Sequence, residues 1–226
     1  MSDIFREVDE DIRHDRYKKL WDRWGPFVIV AALLVILGTA GYRGWDWWQE
    51  RQSASSGDRF VAAIDAVDAG DRGAAIDILE GLKSDGAGGY PTLATFRLAA
   101  ELAAEGGTAA AIEEYDRIAA TRSLDTEMRN MARMRAALLL VDTATIEEVE
   151  ERIGDLAGTG NTWRHAAREL LGLTAWRLER FDEARAYFES IAVDQETPRD
   201  LRERAQVMLG LIDSRIGEAA DADGAS

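Results

Sequence analysis

An uncharged, strongly apolar run over residues 24–42 constrains the fold of this chain more than any other feature. A helix of about 19 residues is about 28 Å long, which is close to the thickness of the hydrocarbon core of a bilayer. Aromatic residues, whose rings favour the membrane–water interface, flank the run at Trp21, Trp24, Tyr42, Trp45, Trp47 and Trp48. The pattern predicts one transmembrane helix over 24–48 with these six residues as interfacial anchors. The alternative, a buried core helix, would not need aromatic flanks.

The tail before this run predicts the orientation of the anchor. Residues 1–23 alternate charged and apolar side chains at helical spacing, so we expect an amphipathic cytoplasmic tail. Its length and mixed charge differ from the short basic start of a cleaved signal peptide, which favours an uncleaved anchor. Lys and Arg residues near the span are more numerous before it (13, 16, 18, 19 and 23) than after it (43, 51 and 59). This excess predicts a cytoplasmic N-terminus and an extracytoplasmic C-terminal domain.

The composition excludes several classes of function. The chain has 42 acidic and 27 basic residues, which gives a formal net charge of −15. Such a surface repels the phosphates of nucleic acids, so we expect no nucleic-acid binding. The chain has no cysteine, which excludes disulfides, thiol catalysis and thiolate metal sites.

Four segments after residue 53 align without internal gaps. Each carries a small residue early, at Ala63, Ala99, Ala137 and Gly172. Twelve positions later stand Ala75, Ala111, Val149 and Ala184. Larger apolar residues follow at Leu79, Tyr115, Ile153 and Phe188, and then at Leu82, Ile118, Leu156 and Ile191. Small residues let the two helices of a hairpin approach closely, and the larger ones fill the space between consecutive hairpins.

This pattern resembles the tetratricopeptide repeat. The predicted fold is all-α: a single N-terminal transmembrane helix is followed by a tetratricopeptide-like α-solenoid of about four degenerate helical hairpins over 53–217. A capping helix over about 198–217 completes this domain, and residues 218–226 are predicted to be a disordered acidic tail. An irregular α-helical bundle with accidental periodicity is the alternative.

No group of residues in the sequence predicts catalysis. Neither His14 nor His165 has a nearby motif that suggests a nucleophile or a metal partner. The acidic pairs that begin at Glu113 and Glu147 lie in the first turns of predicted helices, where the helix dipole accounts for them. We therefore expect a protein that is not an enzyme and has no catalytic, cofactor-binding or metal site.

The first helices of stacked hairpins line a groove where partner peptides usually bind. The register of the repeats places six residues on that side: Phe96, Met134, Leu138, Leu173, Trp176 and Arg177. We predict a partner-binding role for Phe96, Met134, Trp176 and Arg177. Packing against neighbouring repeats is the alternative, and it is the favoured interpretation for Leu138 and Leu173.

The order of segments resembles the YfgM-like family of ancillary subunits of the bacterial SecYEG translocon. The resemblance covers nearly the whole chain: a charged tail, one span that ends in GYRGWDWWQ (41–49), and a repeat domain. Gly89-Tyr90, Leu93-Ala94 and the helix over 98–102 are similar to the family's first inter-repeat connection. The resemblance implies a bacterial inner-membrane protein with a periplasmic domain. Its implied partners are the SecYEG translocon and a membrane-anchored periplasmic chaperone, with exported polypeptides as clients.

Two functions remain open at this point. The first is an adaptor that associates with the Sec translocon and assists the hand-over or folding of exported proteins. The second is a structural scaffold that coordinates a cell-wall or division complex without binding clients, an interpretation based on analogy between folds. An apolar groove would favour the adaptor, and a uniformly charged groove would favour the scaffold.

Overall fold

The structure is a computed structural model that describes the backbone of residues 3–224 and the side chains of residues 27, 29–31 and 33–217. The described backbone contains helices and no strands. The helices are α1 Asp3–Asp68, α2 Arg72–Asp85, α3 Tyr90–Ala104, α4 Thr108–Ala120, α5 Thr126–Leu140, α6 Ile146–Ile153, α7 Arg164–Arg177, α8 Phe181–Val193 and α9 Arg199–Gly224. A 3₁₀ turn, Gly154–Ala157, follows α6. The chain divides into two units, Met1–Ser55 and Ser56–Ser226.

The second unit is a stack of helical hairpins. The C-terminal part of α1 pairs with α2, and the later hairpins are α3–α4, α5–α6 and α7–α8. Every small and large apolar position that the repeat predicts is buried in these hairpins. The contacts run mainly between consecutive helices, as they do in a solenoid. The all-α, tetratricopeptide-like fold is therefore confirmed.

Helix ends in this unit follow from local polar chemistry. Asp71 and Asp125 begin α2 and α5, and each side chain accepts a hydrogen bond from a backbone N–H three residues later. Thr145 and Glu148 form a reciprocal capping box at the start of α6. These caps satisfy N–H groups that have no partner inside the helix, so α2, α5 and α6 begin where the sequence places Asp or Thr.

Three hairpin turns share one backbone conformation. Gly70 and Gly106 have φ values of 84° and 87°, and each stands five residues before the small residue of the second helix. Glu179 holds the equivalent place in the last hairpin, with φ of 59°. The left-handed region suits glycine, so the last turn keeps the geometry of the repeat without the residue that favours it.

A polar cluster around Asp194 joins the last hairpin to α9. One carboxylate oxygen of Asp194 accepts hydrogen bonds from Nε of Arg164 and faces Nε2 of His165, both at 2.9 Å. The other accepts from the backbone N–H of Glu196, and Arg202 donates to the Asp194 carbonyl oxygen. The hydrogen bond from Arg164, followed by those from Glu196 and His165, holds the pKa of Asp194 far below its usual range.

Helix α9 covers the last hairpin and extends beyond the predicted cap. Leu201, Ala205 and Ile212 are buried against the core of the preceding hairpins. The helix ends at Gly224, whereas residues 218–226 were predicted to be disordered; the Ala-rich sequence there has high helix propensity. The opposite face of α9 carries two exposed apolar residues, Val207 and Leu211.

In the first unit, α1 exposes its apolar side chains. Residues 33–37 are consecutive and each is more than half exposed. Five consecutive positions of an α-helix point in all directions around its axis, so the whole circumference is apolar and open. Within the described residues, α1 is the one helix that is long and apolar enough to cross a membrane.

Candidate functional site

An open cavity of about 240 Å³ lies between α5 and α7, the first helices of the third and fourth hairpins. It is therefore on the side of the solenoid where the repeat predicts a binding groove. Its lining residues come from α5 and from the start and body of α7: Met131, Met134, Arg135, Leu138, Trp163, Ala166, Glu169 and Leu170. Most of this lining is apolar, which suits a bulky apolar side chain from a partner.

The apolar lining is rich in methionine and only partly buried. Met134 and Leu170 are almost fully buried, whereas Leu138 is 53% exposed. Three of the chain's five methionines lie at 128, 131 and 134 in α5, and two of them line the cavity. An unbranched thioether side chain adapts to differently shaped apolar partners, so this surface can accept more than one side chain.

The polar side chains at the cavity differ in whether they have a hydrogen-bond partner within the protein. Glu169 receives two hydrogen bonds from the guanidinium of Arg204 in α9, at 2.8 and 3.1 Å, and this pairing raises the pKa of Arg204. The indole N–H of Trp163 donates to Glu127 at 2.8 Å, which fixes its ring at the edge of the cavity. Arg135 is exposed and makes no hydrogen bond or ion pair with any side chain that the structure describes.

Of the four predicted partner-binding residues, Met134 lines this cavity and Phe96 does not. The ring of Phe96 lies 6.1 Å from the ring of Tyr115 and packs on the core cluster of the second hairpin. Its aromatic surface is thus already half-covered by its own repeat. A partner-binding role for Phe96 remains a prediction, with a packing role visible in the fold.

Trp176 and Arg177 also make contacts within the solenoid. The rings of Trp176 and Phe181 are 5.2 Å apart across the α7–α8 turn. Arg177 donates hydrogen bonds to the carbonyl oxygens of Val141, at 2.7 Å, and Ala144. These carbonyls follow the end of α5, so Arg177 ties the fourth hairpin to the loop of the third.

Leu138 and Leu173, for which packing was the favoured interpretation, take different places. Leu173 packs against the core, whereas Leu138 is open to the cavity. Sequence reasoning missed six of the eight lining residues: Met131, Arg135, Trp163, Ala166, Glu169 and Leu170. The spacing of the methionines was an available signal, but Trp163 precedes the aligned repeat segment and carried none.

Four of the six predicted interfacial anchors have described side chains, and these four follow the apolar run of α1. Tyr42, Trp45, Trp47 and Trp48 are all about half exposed or more. Trp45 and Trp48 lie 5.4 Å apart, and the guanidinium of Arg51 lies 5.1 Å from the Trp47 ring. Their positions are spread around the helix, and their role as interfacial anchors remains a prediction. The side chains of the predicted anchors Trp21 and Trp24 lie outside the described residues.

The model of the tetratricopeptide repeat-like domain family matches residues 18–211. Because the match covers most of the chain, this protein belongs to that family, whose domains generally mediate interactions between proteins. The match begins before the apolar run and ends in α9, so it includes both the candidate membrane helix and all four hairpins. The comparison with curated proteins gave no match. Membership of the narrower YfgM-like family remains a prediction.

Proposed function

We propose that this protein is a non-catalytic, membrane-anchored adaptor that binds polypeptide segments in the cavity between α5 and α7. One observation carries the proposal: the cavity is open to solvent and mainly apolar, and its floor is formed by the buried core residues Met134 and Leu170. Exposed apolar surface beside a buried floor costs free energy in water, and a partner side chain would remove that cost.

The anchor in this proposal is the apolar part of α1. Its side chains at 33–37 face outward in every direction, and a bilayer covers such a surface whereas a single protein partner covers one side. The excess of Lys and Arg before the run supports a cytoplasmic N-terminus. The solenoid would then lie in the periplasm, at the bacterial inner membrane.

The proposed partners follow from the resemblance to the YfgM-like family. They are the SecYEG translocon, a membrane-anchored periplasmic chaperone and exported polypeptides, whose hand-over or folding the protein would assist. An apolar cavity supports this adaptor because newly exported chains expose apolar side chains before they fold. An anchor keeps the cavity close to the membrane, which raises its effective concentration near emerging chains.

A structural scaffold for a cell-wall or division complex is the second candidate. The outer face of α9 favours it, because Val207 and Leu211 lie one helical turn apart and are 64% and 48% exposed. A stable apolar stripe of this kind suits one fixed partner helix rather than many clients. The two candidates therefore use different surfaces of the same solenoid.

Site-specific photocrosslinking in intact cells separates the two candidates. A photoreactive residue would replace Leu138 in the cavity, Val207 on α9, or Val61 as a control that is equally exposed on the first hairpin. The adaptor predicts that position 138 captures translocon subunits, an anchored chaperone or exported chains more strongly than position 61. Capture of cell-wall or division proteins at 207, with nothing at 138 above the control, would contradict the adaptor and favour the scaffold.

A further inference from the structure

We propose that the cavity selects segments in which an acidic residue neighbours a bulky apolar residue, and that Arg135 recognises the acid. This specificity rests on the proposed binding of polypeptide segments at the same cavity. The ligand is thus a short acidic and apolar segment of another protein.

The position of Arg135 is the first support. It lines the cavity between Met134 and the half-exposed Leu138, and its side chain is exposed. Arg133, two residues earlier on the same helix, is instead held by the Arg152 carbonyl oxygen and by the carboxylate of Asp155. Of the three arginines of α5, Arg133 is thus engaged by the fold and Arg129 donates to the hydroxyl of Thr126, whereas Arg135 is left available at the cavity.

The acidic groups nearby are the second support. Glu169 lines the same cavity, but its carboxylate is already paired through both oxygens with Arg204. Glu127 accepts the indole N–H of Trp163 and precedes Arg135 by eight residues, which is about 12 Å along an α-helix. Although acidic residues outnumber basic ones in this chain, Arg135 has no carboxylate partner among the described residues.

The third support is the chemistry of a guanidinium beside apolar surface. Its planar N–H groups can pair with both oxygens of a carboxylate, which gives direction as well as attraction. Apolar side chains such as Met131 and Leu138 exclude water from a bound segment, so the pair would be weakly screened. An acidic residue beside the inserted apolar side chain therefore complements the cavity better than an amide or a lysine does.

Fluorescence anisotropy with the full chain in detergent micelles tests this inference. The probes are three labelled peptides of glycine and serine with Leu-Glu-Phe-Glu, Leu-Gln-Phe-Gln or Leu-Lys-Phe-Lys at the centre. We expect the acidic peptide to bind most tightly and the lysine peptide most weakly. The substitution Arg135→Gln should weaken binding of the acidic peptide about tenfold and leave the glutamine peptide within about twofold.

Two further variants test the role of the charge at position 135, one as a charge reversal and one as a control away from the cavity. Arg135→Glu should reverse the order of the acidic and lysine peptides, whereas Arg122→Gln should change nothing, because Arg122 is exposed in the α4–α5 loop away from the cavity. Equal binding of the acidic and glutamine peptides, or an equal loss of both in Arg135→Gln, would overturn the inference. The proposed function would survive that result if Leu138→Ser still weakened the glutamine peptide. Failure of all three peptides to bind would contradict both.

Discussion

Gly172 in α7 and Phe188 in α8 approach so closely that a Cβ atom on Gly172 would lie 2.9 Å from Cε2 of the ring. Phe188 is almost fully buried and belongs to the core that joins the last two hairpins to α9. The small residue of the fourth repeat is therefore required by the size of its partner. In the three earlier repeats the same position is alanine.

Replacing Gly172 by alanine tests this relationship. Crowding of a packed ring costs about 1–3 kcal/mol, and the higher helix propensity of alanine offsets up to about 1 kcal/mol. We expect Gly172→Ala to lower the free energy of unfolding by about 1 kcal/mol, measured by urea denaturation of the full chain in micelles. Gly210→Ala is the matched control, since nothing lies within 4 Å of its Cβ position, and it should be stabilising. Equal effects of the two substitutions would show that the contact with Phe188 carries no cost.

Arg177 should matter for stability rather than for binding. The substitution Arg177→Met keeps most of the apolar stem but removes the donors to the carbonyl oxygens of Val141 and Ala144. We expect a loss of about 2 kcal/mol in the free energy of unfolding, typical of hydrogen bonds from a charged group. Binding of the acidic peptide to the folded protein should stay within about twofold. A stable variant with weakened binding would instead support the partner-binding role predicted from the sequence.

The left-handed turn residue offers a stabilising substitution. Glu179 adopts the conformation that Gly70 and Gly106 adopt in equivalent turns, and a side chain there costs about 1 kcal/mol. Glu179→Gly should therefore raise the free energy of unfolding by up to about 1 kcal/mol. The reciprocal change Gly106→Ala should lower it by a similar amount. If Glu179→Gly also destabilises the protein, the left-handed conformation of Glu179 does not carry the expected cost.

The stability of the last hairpin should decrease in acid. Hydrogen bonds lower the pKa of Asp194 in the folded state, so its contribution is fully present above the unfolded value near 3.9. That contribution is lost as the pH falls below about 4, toward the lower pKa of the folded state. Asp194→Asn should thus be less stable than the parent at pH 7, with a smaller decrease between pH 5 and pH 3. Asp142→Asn, at an exposed position, should keep the parent's pH profile.

Single cysteines can establish the topology, since the chain has no native cysteine to give background labelling. The variant Ser123→Cys carries an exposed thiol in the loop between α4 and α5, and Ser2→Cys carries one in the N-terminal tail. A membrane-impermeant maleimide added to spheroplasts should label position 123 and leave position 2 unlabelled until lysis. The opposite labelling would reverse the proposed orientation, and labelling of both before lysis would contradict a single membrane span.

Most of the solenoid could be predicted because its repeat is a fixed spacing of small and large apolar residues along the sequence. Ala63, Ala99 and Ala137 recur with the same offsets to their partner helices, and every one of them is buried. Two hairpin turns can be predicted in the same way, because Gly70 and Gly106 interrupt the apolar pattern at the positions where the backbone has a positive φ. Each of these features depends on residues within one repeat, so a single sequence was sufficient.

The candidate site could be predicted only in part, because its surface depends on contacts between repeats. Sequence alone placed Met134, Trp176 and Arg177 on one side of the solenoid. Only the tertiary structure decided that Arg177 donates a hydrogen bond to the third hairpin and that the side chain of Leu138 remains exposed. The same is true of Arg135, whose possible partner Glu169 is taken by Arg204 from a helix 35 residues away. The helical period determines which way a side chain points, but the helices that pack beside it determine whether it is covered.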